Sequence, residues 1–235
     1  MTGHAEHDQS PYDETDTAAQ IEGLAMLLTP AARVLDLGCG DGRIAVPLLN
    51  ALGPNEIDLV GLDLDPEIGS AFLEATSRNA TFVQGDLFDS ATLPDGPFDL
   101  ILVLGNLLMV LREPSRLRAA FAGLAQCLKP GGAVVIDDFA EGGWAELASG
   151  RWADGIDDSG SMQMVWLAGN PEFVVRMGGE VDPEASEPKA GERVLRLWSR
   201  RELDDAAVSA GLGPAQIDSE HLLAIHRLEL GACGD

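Results

Sequence analysis

The sequence predicts an α/β fold, built from a mostly parallel sheet of seven strands with helices on both faces. Three observations predict it. Short apolar segments alternate with helical patterns from residue 33 to residue 137, as in successive βα units. Residues 98–104 read FDLILVL, an apolar run typical of a strand buried on both faces. Residues 160–199 have no helical period but hold alternating segments, which predict a small antiparallel β insertion after strand 5.

The elements follow in order along the chain. A helix at 17–28 places Ile21, Leu24 and Leu28 on one face before Pro30 ends it. The strands of the sheet are expected at 33–37, 57–63, 81–84, 98–104, 133–137, 215–218 and 222–228. Helices are expected at 42–52, from Pro66 onward, at 115–128 with 129–132 as its stop, and at 200–210. The insertion has strands at 162–168, 173–178 and 193–199, with an exposed loop at 181–191. This order is that of a Rossmann-like sheet.

A single domain of 235 residues is the simplest organisation. We divide it into an N-terminal segment and helix (1–29), a binding core (30–138), a β insertion (139–199) and a C-terminal helix with strands (200–235). Residues 1–20 are polar and acidic, unlike a signal peptide, and no apolar run approaches the length of a membrane span. We therefore expect a cytoplasmic protein.

The charge balance is strongly acidic, with 39 acidic and 15 basic residues and a net charge of −24. Such a surface repels nucleic-acid phosphates and anionic lipids, so we expect no nucleic-acid or membrane partner. A solvated acidic surface is the simplest reason for it. Cys39, Cys127 and Cys233 lie far apart and have neither disulfide nor metal-site spacing.

The strongest motif is VLDLGCGDGR, in which strand 1 runs directly into Gly38, Gly40 and Gly42. Glycines allow a tight turn and let a ligand approach the backbone. A dinucleotide fold would show GxGxxG with a pyrophosphate over the helix N-terminus, whereas this spacing is GxGxG and follows an acid, Asp36. Asp41 is either the N-cap of the next helix or part of the ligand site.

Taken together, five segments resemble class I S-adenosylmethionine-dependent methyltransferases. They are VLDLGCGDGRIAVPLL, VGLDLDPE, QGDLFD, FDLILVLGNLL and LKPGGAVVIDDF, in the order of that family. The resemblance implies S-adenosylmethionine as cofactor. It implies that Asp63 holds the ribose hydroxyls, that Asp86 meets the adenine amino group and that Leu87 offers a backbone contact. The cofactor-binding residues we expect are Asp36, Gly38, Cys39, Gly40, Gly42, Asp63, Leu64, Asp86, Leu87 and Leu104.

The acceptor is less determined. Gly105-Asn106 follows strand 4, where this fold faces the methyl donor, and the motif of base methyltransferases is absent. Gly-Asn at this place is similar to glycine and amino-sugar N-methyltransferases, although Leu107 and Val110 stand where those relatives have Ser and His. We therefore expect methylation of a nitrogen or oxygen of a small molecule, with an amine slightly favoured. A non-catalytic S-adenosylmethionine-binding subunit and an NAD-dependent oxidoreductase are the alternatives.

No catalytic residue is assigned, but three are candidates: Asn106, Tyr12 and His221. Asn106 can equally be a turn residue, Tyr12 lies in a segment that closes over the cofactor in related enzymes, and His221, like His226, has no evident group to orient it. Asp137 and Asp138 end strand 5, but the further ligands of a magnesium site cannot be identified, so no metal is expected.

The insertion is rich in aromatic and sulfur side chains, namely Trp144, Trp152, Met162, Met164, Trp166 and Phe173. They predict an apolar lid over the acceptor, a small core beneath the insertion, or both.

Overall fold

The computed structural model describes residues 14–53, 56–77, 79–138, 155–157, 159–167, 171–185 and 187–229. Its helices are α1 (Glu14–Leu27), α2 (Ala45–Leu52), α3 (Pro66–Ala75), α4 (Pro114–Gln126) and α5 (Arg200–Ser209). Its first strands are β1 (Ala32–Leu37), β2 (Ile57–Asp63), β3 (Ala80–Gln84), β4 (Phe98–Val103) and β5 (Leu128–Asp137). The others are β6 (Met162–Trp166), β7 (Glu172–Met177), β8 (Leu195–Arg196), β9 (Gln216–Asp218) and β10 (Leu223–Arg227).

Seven strands form one sheet in the order β3-β2-β1-β4-β5-β10-β9, which confirms the predicted fold class. Strands β1 to β5 pair in parallel, and β10 runs antiparallel to both β5 and β9. A second, antiparallel sheet has the order β6-β7-β8 and is the predicted insertion. Within the described residues, no helix is long and apolar enough to cross a bilayer.

Both faces of the large sheet are covered because its central strands are apolar on both sides. In β4, Leu100 and Leu102 join a core cluster with residues of α1 and α2. Their neighbours Ile101 and Val103 join the opposite cluster, beneath α4 and α5. Because β1 to β5 are parallel, their carboxyl ends lie along one edge of the sheet, where the predicted motifs lie.

The end of α4 and the start of β5 differ from the predicted boundaries for a physical reason. Helix α4 ends at Gln126, and the glycines predicted to stop it lie inside β5. There the pairing with β4 shifts register between Phe98 and Leu100, and Gly131 has a φ of 80° that suits glycine. A side chain at Gly132 would approach backbone oxygens at 3.0 Å, so this pair of glycines permits an irregularity in the sheet.

Helix α2 begins at Ala45 and not at Gly42, because residues 38–44 form an extended turn. Its N-cap is Ile44, so the interpretation of Asp41 as a helix cap is wrong. In the insertion, β8 has two residues, and Leu197 N continues its register with β7 by donating a hydrogen bond to Pro171 O at 2.9 Å.

The loop at 181–191 lies at the surface but is held from beneath. Arg176 of β7 is 1% exposed and forms an ion pair with Glu192 at 2.6 Å. Its guanidinium also donates to Glu187 O at 2.9 Å, and Gln163 donates to Asp182 O at 2.8 Å. The loop is therefore fixed to the face of the small sheet.

Candidate active site

The glycine turn after β1 is shaped for close approach of a ligand. Gly38, Gly40 and Gly42 all have positive φ angles, of 64°, 52° and 103°. A side-chain carbon added at Gly40 would meet nothing within 4 Å, whereas one at Gly38 would lie 2.8 Å from Leu107 Cδ2. The turn therefore presents an open surface at Gly40 and is closed at Gly38 by the loop after β4.

The acid at the end of β2 faces this open surface. Asp63 Oδ2 accepts a hydrogen bond from Gly40 N at 3.2 Å, and its Oδ1 accepts one from Asp65 N at 3.1 Å. Asp65 in turn caps α3 by accepting from Glu67 N. The neighbouring Leu64 is 64% exposed, which is unusual for a leucine and leaves an apolar side chain beside Asp63 for a ligand to cover.

The loop after β3 brings Asp86 and Leu87 to the same edge. Asp86 Oδ1 accepts from Phe88 N at 3.0 Å, and its backbone oxygen accepts from Thr92 Oγ1 at 2.7 Å. Both residues are half-buried. The turn is thus set by its own hydrogen bonds, and the carboxylate of Asp86 stays at the edge of the sheet.

Cys39 and Leu104, two of the residues expected to contact the cofactor, have deeply buried side chains of low polarity. Cys39 lies against the backbone of Gly61, and burial raises the pKa of its thiol, so it is a packing residue with an unreactive sulfur. Leu104 is 6% exposed, and its side chain packs in the core cluster beneath α1 and α2. A contact of Leu104 with the cofactor, as predicted, would use its backbone.

Asp36 is the most unusual carboxyl group of the turn. It is 3% exposed, and its Oδ2 has no hydrogen-bond partner among the described residues. Burial raises the pKa of Asp36 to about 7, and the carboxylate of Asp63 adds to the shift, while Arg43 opposes it. A buried acid with an unpaired oxygen favours a cationic ligand group nearby.

A polar cluster that the sequence did not reveal surrounds the end of β5. Asp137 is 8% exposed and accepts hydrogen bonds from Gly105 N, Asn106 N and Gln20 Nε2. Gln20 of α1 is fully buried, and its Oε1 accepts a hydrogen bond from Arg43 Nη1 at 3.1 Å. These residues are up to 117 positions apart in the chain, so spacing gave no signal for them.

A pocket adjoins this cluster on the face of the sheet that α4 and α5 cover. The space in it that a water-sized sphere can enter is about 30 Å³, and the pocket is open to solvent. Val103, Asn106, Leu108, Met109, Ile136, Asp137, Leu197, Trp198 and Leu203 line it. Most of these side chains are apolar, and Asn106 and Asp137 supply the polar groups, as in sites for small organic molecules.

The insertion forms one wall of the pocket. Phe173 and Leu197 pack with Met109 in a cluster of their own, and Trp166 lies 4.8 Å from Phe173 between ring centroids. Trp198 donates from Nε1 to Leu108 O at 3.0 Å, which ties the insertion to the loop after β4. The insertion therefore provides both a small core and a pocket wall. Trp144 and Trp152 lie outside the described residues.

The three catalytic candidates have different positions. Asn106 lines the pocket, and its backbone is left-handed with a φ of 57°. His221 lies beside α1, where its Cβ would be 2.5 Å from a side chain added at Gly23. Contrary to expectation it has an orienting group, because its Nδ1 lies 2.8 Å from Asp218 Oδ2, and this hydrogen bond raises the pKa of His221. Tyr12 lies outside the described residues.

The glycine turn and the strands around it lie in the part of the chain that is similar to known proteins. Residues 34–132 match the family model described as a methyltransferase domain. A ribosomal protein L11 methyltransferase of Burkholderia cenocepacia (strain HI2424) is 33% identical over 116 residues, which are 49% of this chain and 35% of that protein. The chain thus spans about a third of the length of the curated relatives it matches.

Solved structures share the fold over nearly the whole chain. DesVI from Streptomyces venezuelae aligns with a TM-score of 0.59 and 24% identity, covering 91% of this chain and 92% of that one. CalS10 from Micromonospora echinaspora, an amino pentose methyltransferase solved with S-adenosylmethionine bound, has a TM-score of 0.58 and 20% identity, covering 91% and 90%. At these identities the likeness concerns the fold.

Proposed function

We propose that this chain is an S-adenosylmethionine-dependent methyltransferase that methylates a small molecule, with an amine nitrogen favoured over an oxygen. The match of residues 34–132 to a methyltransferase domain supports the reaction class. The observation that carries the proposal is the pocket beside Asn106. It opens where β4 and β5 end, on the same edge of the sheet as the glycine turn, and its lining is mostly apolar. A compact acceptor at the mouth of this pocket would contact its apolar walls, whereas a polymer would lie across the surface.

The residues at the turn fit the cofactor. The open space at Gly40 suits a ligand that approaches the backbone, and Asp63 is placed to accept ribose hydroxyls. The buried Asp36 suits a cation, and S-adenosylmethionine is cationic at sulfur and at its amino group, with no phosphate. When bound, this cofactor supplies an electrophilic methyl group on sulfur.

The chain's own contribution to the reaction is chiefly placement. Asn106 and the apolar wall would hold the acceptor nitrogen towards the cofactor edge, and the insertion would exclude water. An acceptor in this pocket would react as the neutral amine, because desolvation disfavours the ammonium form. An amine also suits a chain of net charge −24, which attracts cations from solution.

The test is a transfer assay with a labelled methyl group. The protein is incubated with labelled S-adenosylmethionine and a cell extract that contains metabolites, RNA and protein, and label is followed into the small-molecule, RNA and protein fractions. We expect label in small amines. Since the curated relatives named above act on a ribosomal protein, label found in protein and not in the small-molecule fraction would refute the acceptor class.

The two alternatives give different outcomes. A non-catalytic subunit would bind S-adenosylhomocysteine in calorimetry without transferring label to any fraction. An oxidoreductase would bind NAD and not S-adenosylhomocysteine. Gly40→Val serves as the blank, because its added side chain would occupy the open space at the turn.

A further inference from the structure

The loop after β4 has two successive residues in the left-handed region, Gly105 with a φ of 78° and Asn106 with a φ of 57°. Glycine adopts this conformation freely, and asparagine adopts it more readily than most other residues. Gly105 N donates to Asp137 Oδ1 at 3.2 Å, and Asn106 N donates to Asp137 Oδ2 at 2.7 Å. One carboxylate thus holds two consecutive backbone N–H groups, an arrangement that binds anions strongly.

Asp137 is itself fixed by a side chain from a distant part of the chain. Gln20 donates from Nε2 to Asp137 Oδ1 at 3.0 Å. The other end of the same amide accepts from Arg43, whose guanidinium also donates to Thr17 Oγ1 at 3.1 Å. Arg43 follows the glycine turn, so a continuous set of hydrogen bonds joins that turn, α1, β5 and the loop after β4.

The position of this loop matters for both halves of the site. Asn106, Leu108 and Met109 line the pocket. Leu107 lies against the glycine turn, since its Cδ2 would be 2.8 Å from a side chain added at Gly38. The loop is therefore the wall between the acceptor pocket and the turn.

We propose that Asp137 is a positioning residue for methyl transfer, which acts by fixing the loop at Gly105 and Asn106, with Gln20 holding its carboxylate in place. This rests on the proposed function. Misplacing a pocket wall by about 1 Å can cost on the order of 100-fold in rate when catalysis depends on alignment. The predicted cofactor contacts are Gly40, in the turn after β1, and Asp63, at the end of β2. Both belong to other segments of the chain and would be retained.

Asp137→Asn tests the proposal with little change in volume. The asparagine side chain has one oxygen to accept the hydrogen bonds that Gln20, Gly105 and Asn106 now donate to two carboxylate oxygens. Its N–H₂ group would face one of these donors. We expect kcat to fall on the order of 100-fold, while affinity for S-adenosylhomocysteine changes within a few-fold. The backbone amide proton signals of Gly105 and Asn106 should move upfield in NMR spectra, because a hydrogen bond to a carboxylate is lost.

Asp99→Asn is the matched control. Asp99 accepts from Arg33 N at 2.7 Å and from Lys129 Nζ at 2.6 Å, but it lies at the opposite edge of the sheet. The Asp99→Asn protein should be less stable than the wild type, while its kcat and the amide signals of Gly105 and Asn106 stay unchanged. Gln20→Met is a second variant should Asp137→Asn fail to fold; it keeps the carboxylate and should lower kcat less.

The outcomes separate the two proposals. Amide signals that do not move in Asp137→Asn would overturn the role of Asp137, and so would moved signals with an unchanged kcat. The NMR measurement needs no turnover. If the wild-type protein transferred no label to any acceptor, the proposed function would fail, and the amide signals would still decide whether Asp137 holds the loop.

Discussion

Replacing Asp36 by asparagine should make the protein more stable at neutral pH and weaken its hold on S-adenosylmethionine. Asp36 is 3% exposed, and burial raises its pKa to about 7. In the unfolded chain its pKa is about 3.9. Between these values the folded protein keeps a proton that the unfolded chain has lost, so stability falls as pH rises through this window.

The size of the effect follows from the same two values. Each unit of pKa difference corresponds to about 1.4 kcal/mol, so the contribution of Asp36 to the free energy of unfolding falls by up to about 4 kcal/mol from pH 4 to pH 7. Asparagine has no proton to lose. The difference in stability between Asp36→Asn and the wild type should therefore grow in the variant's favour across this window and level off above it.

Urea denaturation of both proteins from pH 4 to pH 8 measures this difference, since the contributions of the other acids are common to both and cancel. Asp41→Asn, which removes an exposed acid from the same turn, is the control for the loss of one carboxylate. Calorimetry should show that wild-type affinity for S-adenosylmethionine rises with pH towards 7, because the cation prefers the carboxylate. Parallel stability curves for wild type and Asp36→Asn would refute the reasoning.

Three further variants test neighbouring parts of the molecule. Asp63→Ala removes the acceptor of the Gly40 N–H and should weaken S-adenosylhomocysteine binding in calorimetry by about 1–3 kcal/mol, with the circular dichroism spectrum unchanged. Gly40→Val should abolish that binding, since its side chain enters open space and its φ of 52° is disfavoured for a branched residue; undiminished affinity would place the cofactor elsewhere. His226 is fully buried and its pKa is lowered by burial, so the folded state binds fewer protons and loses stability as pH falls below about 6.5. His226→Gln should reduce this loss between pH 7 and pH 5, as measured by thermal unfolding.

The sequence predicted the elements that depend on local patterns. The apolar run of β4, the glycine turn and Pro66 at the start of α3 each fix a strand, a turn or a helix through nearby residues. The alternation of strands and helices along the chain predicted the class of sheet, but the order of the strands within it was not predicted. The assignment of Asp36, Asp63 and Asp86 as cofactor contacts stays a prediction, although each lies at the edge where the strands end.

The interactions that span the chain could not be predicted. The helical pattern at 17–28 identifies the apolar face of that helix, but it does not pair Gln20 with Asp137, which lies 117 positions away at the end of β5. Asp218 beside His221 was missed although it is three residues away, because whether a side chain turns back depends on the strand that follows. Buried polar pairs are set by tertiary packing, which a periodic pattern does not encode.

The residues that line the pocket limit the charge of the acceptor more than the net charge of the whole chain does. Of the residues lining the pocket, Asp137 is the one that carries a charge, and its carboxylate oxygens already accept from Gln20 and from the backbone of Gly105 and Asn106. A carboxylate held in this way has few lone pairs left to accept hydrogen bonds from an ammonium group, because they are committed to these neutral donors. The acidic surface would concentrate ammonium ions near the protein, while the pocket would favour the uncharged amine. Since the nitrogen lone pair must be free to attack the methyl group, the surface and the pocket would select different forms of one acceptor.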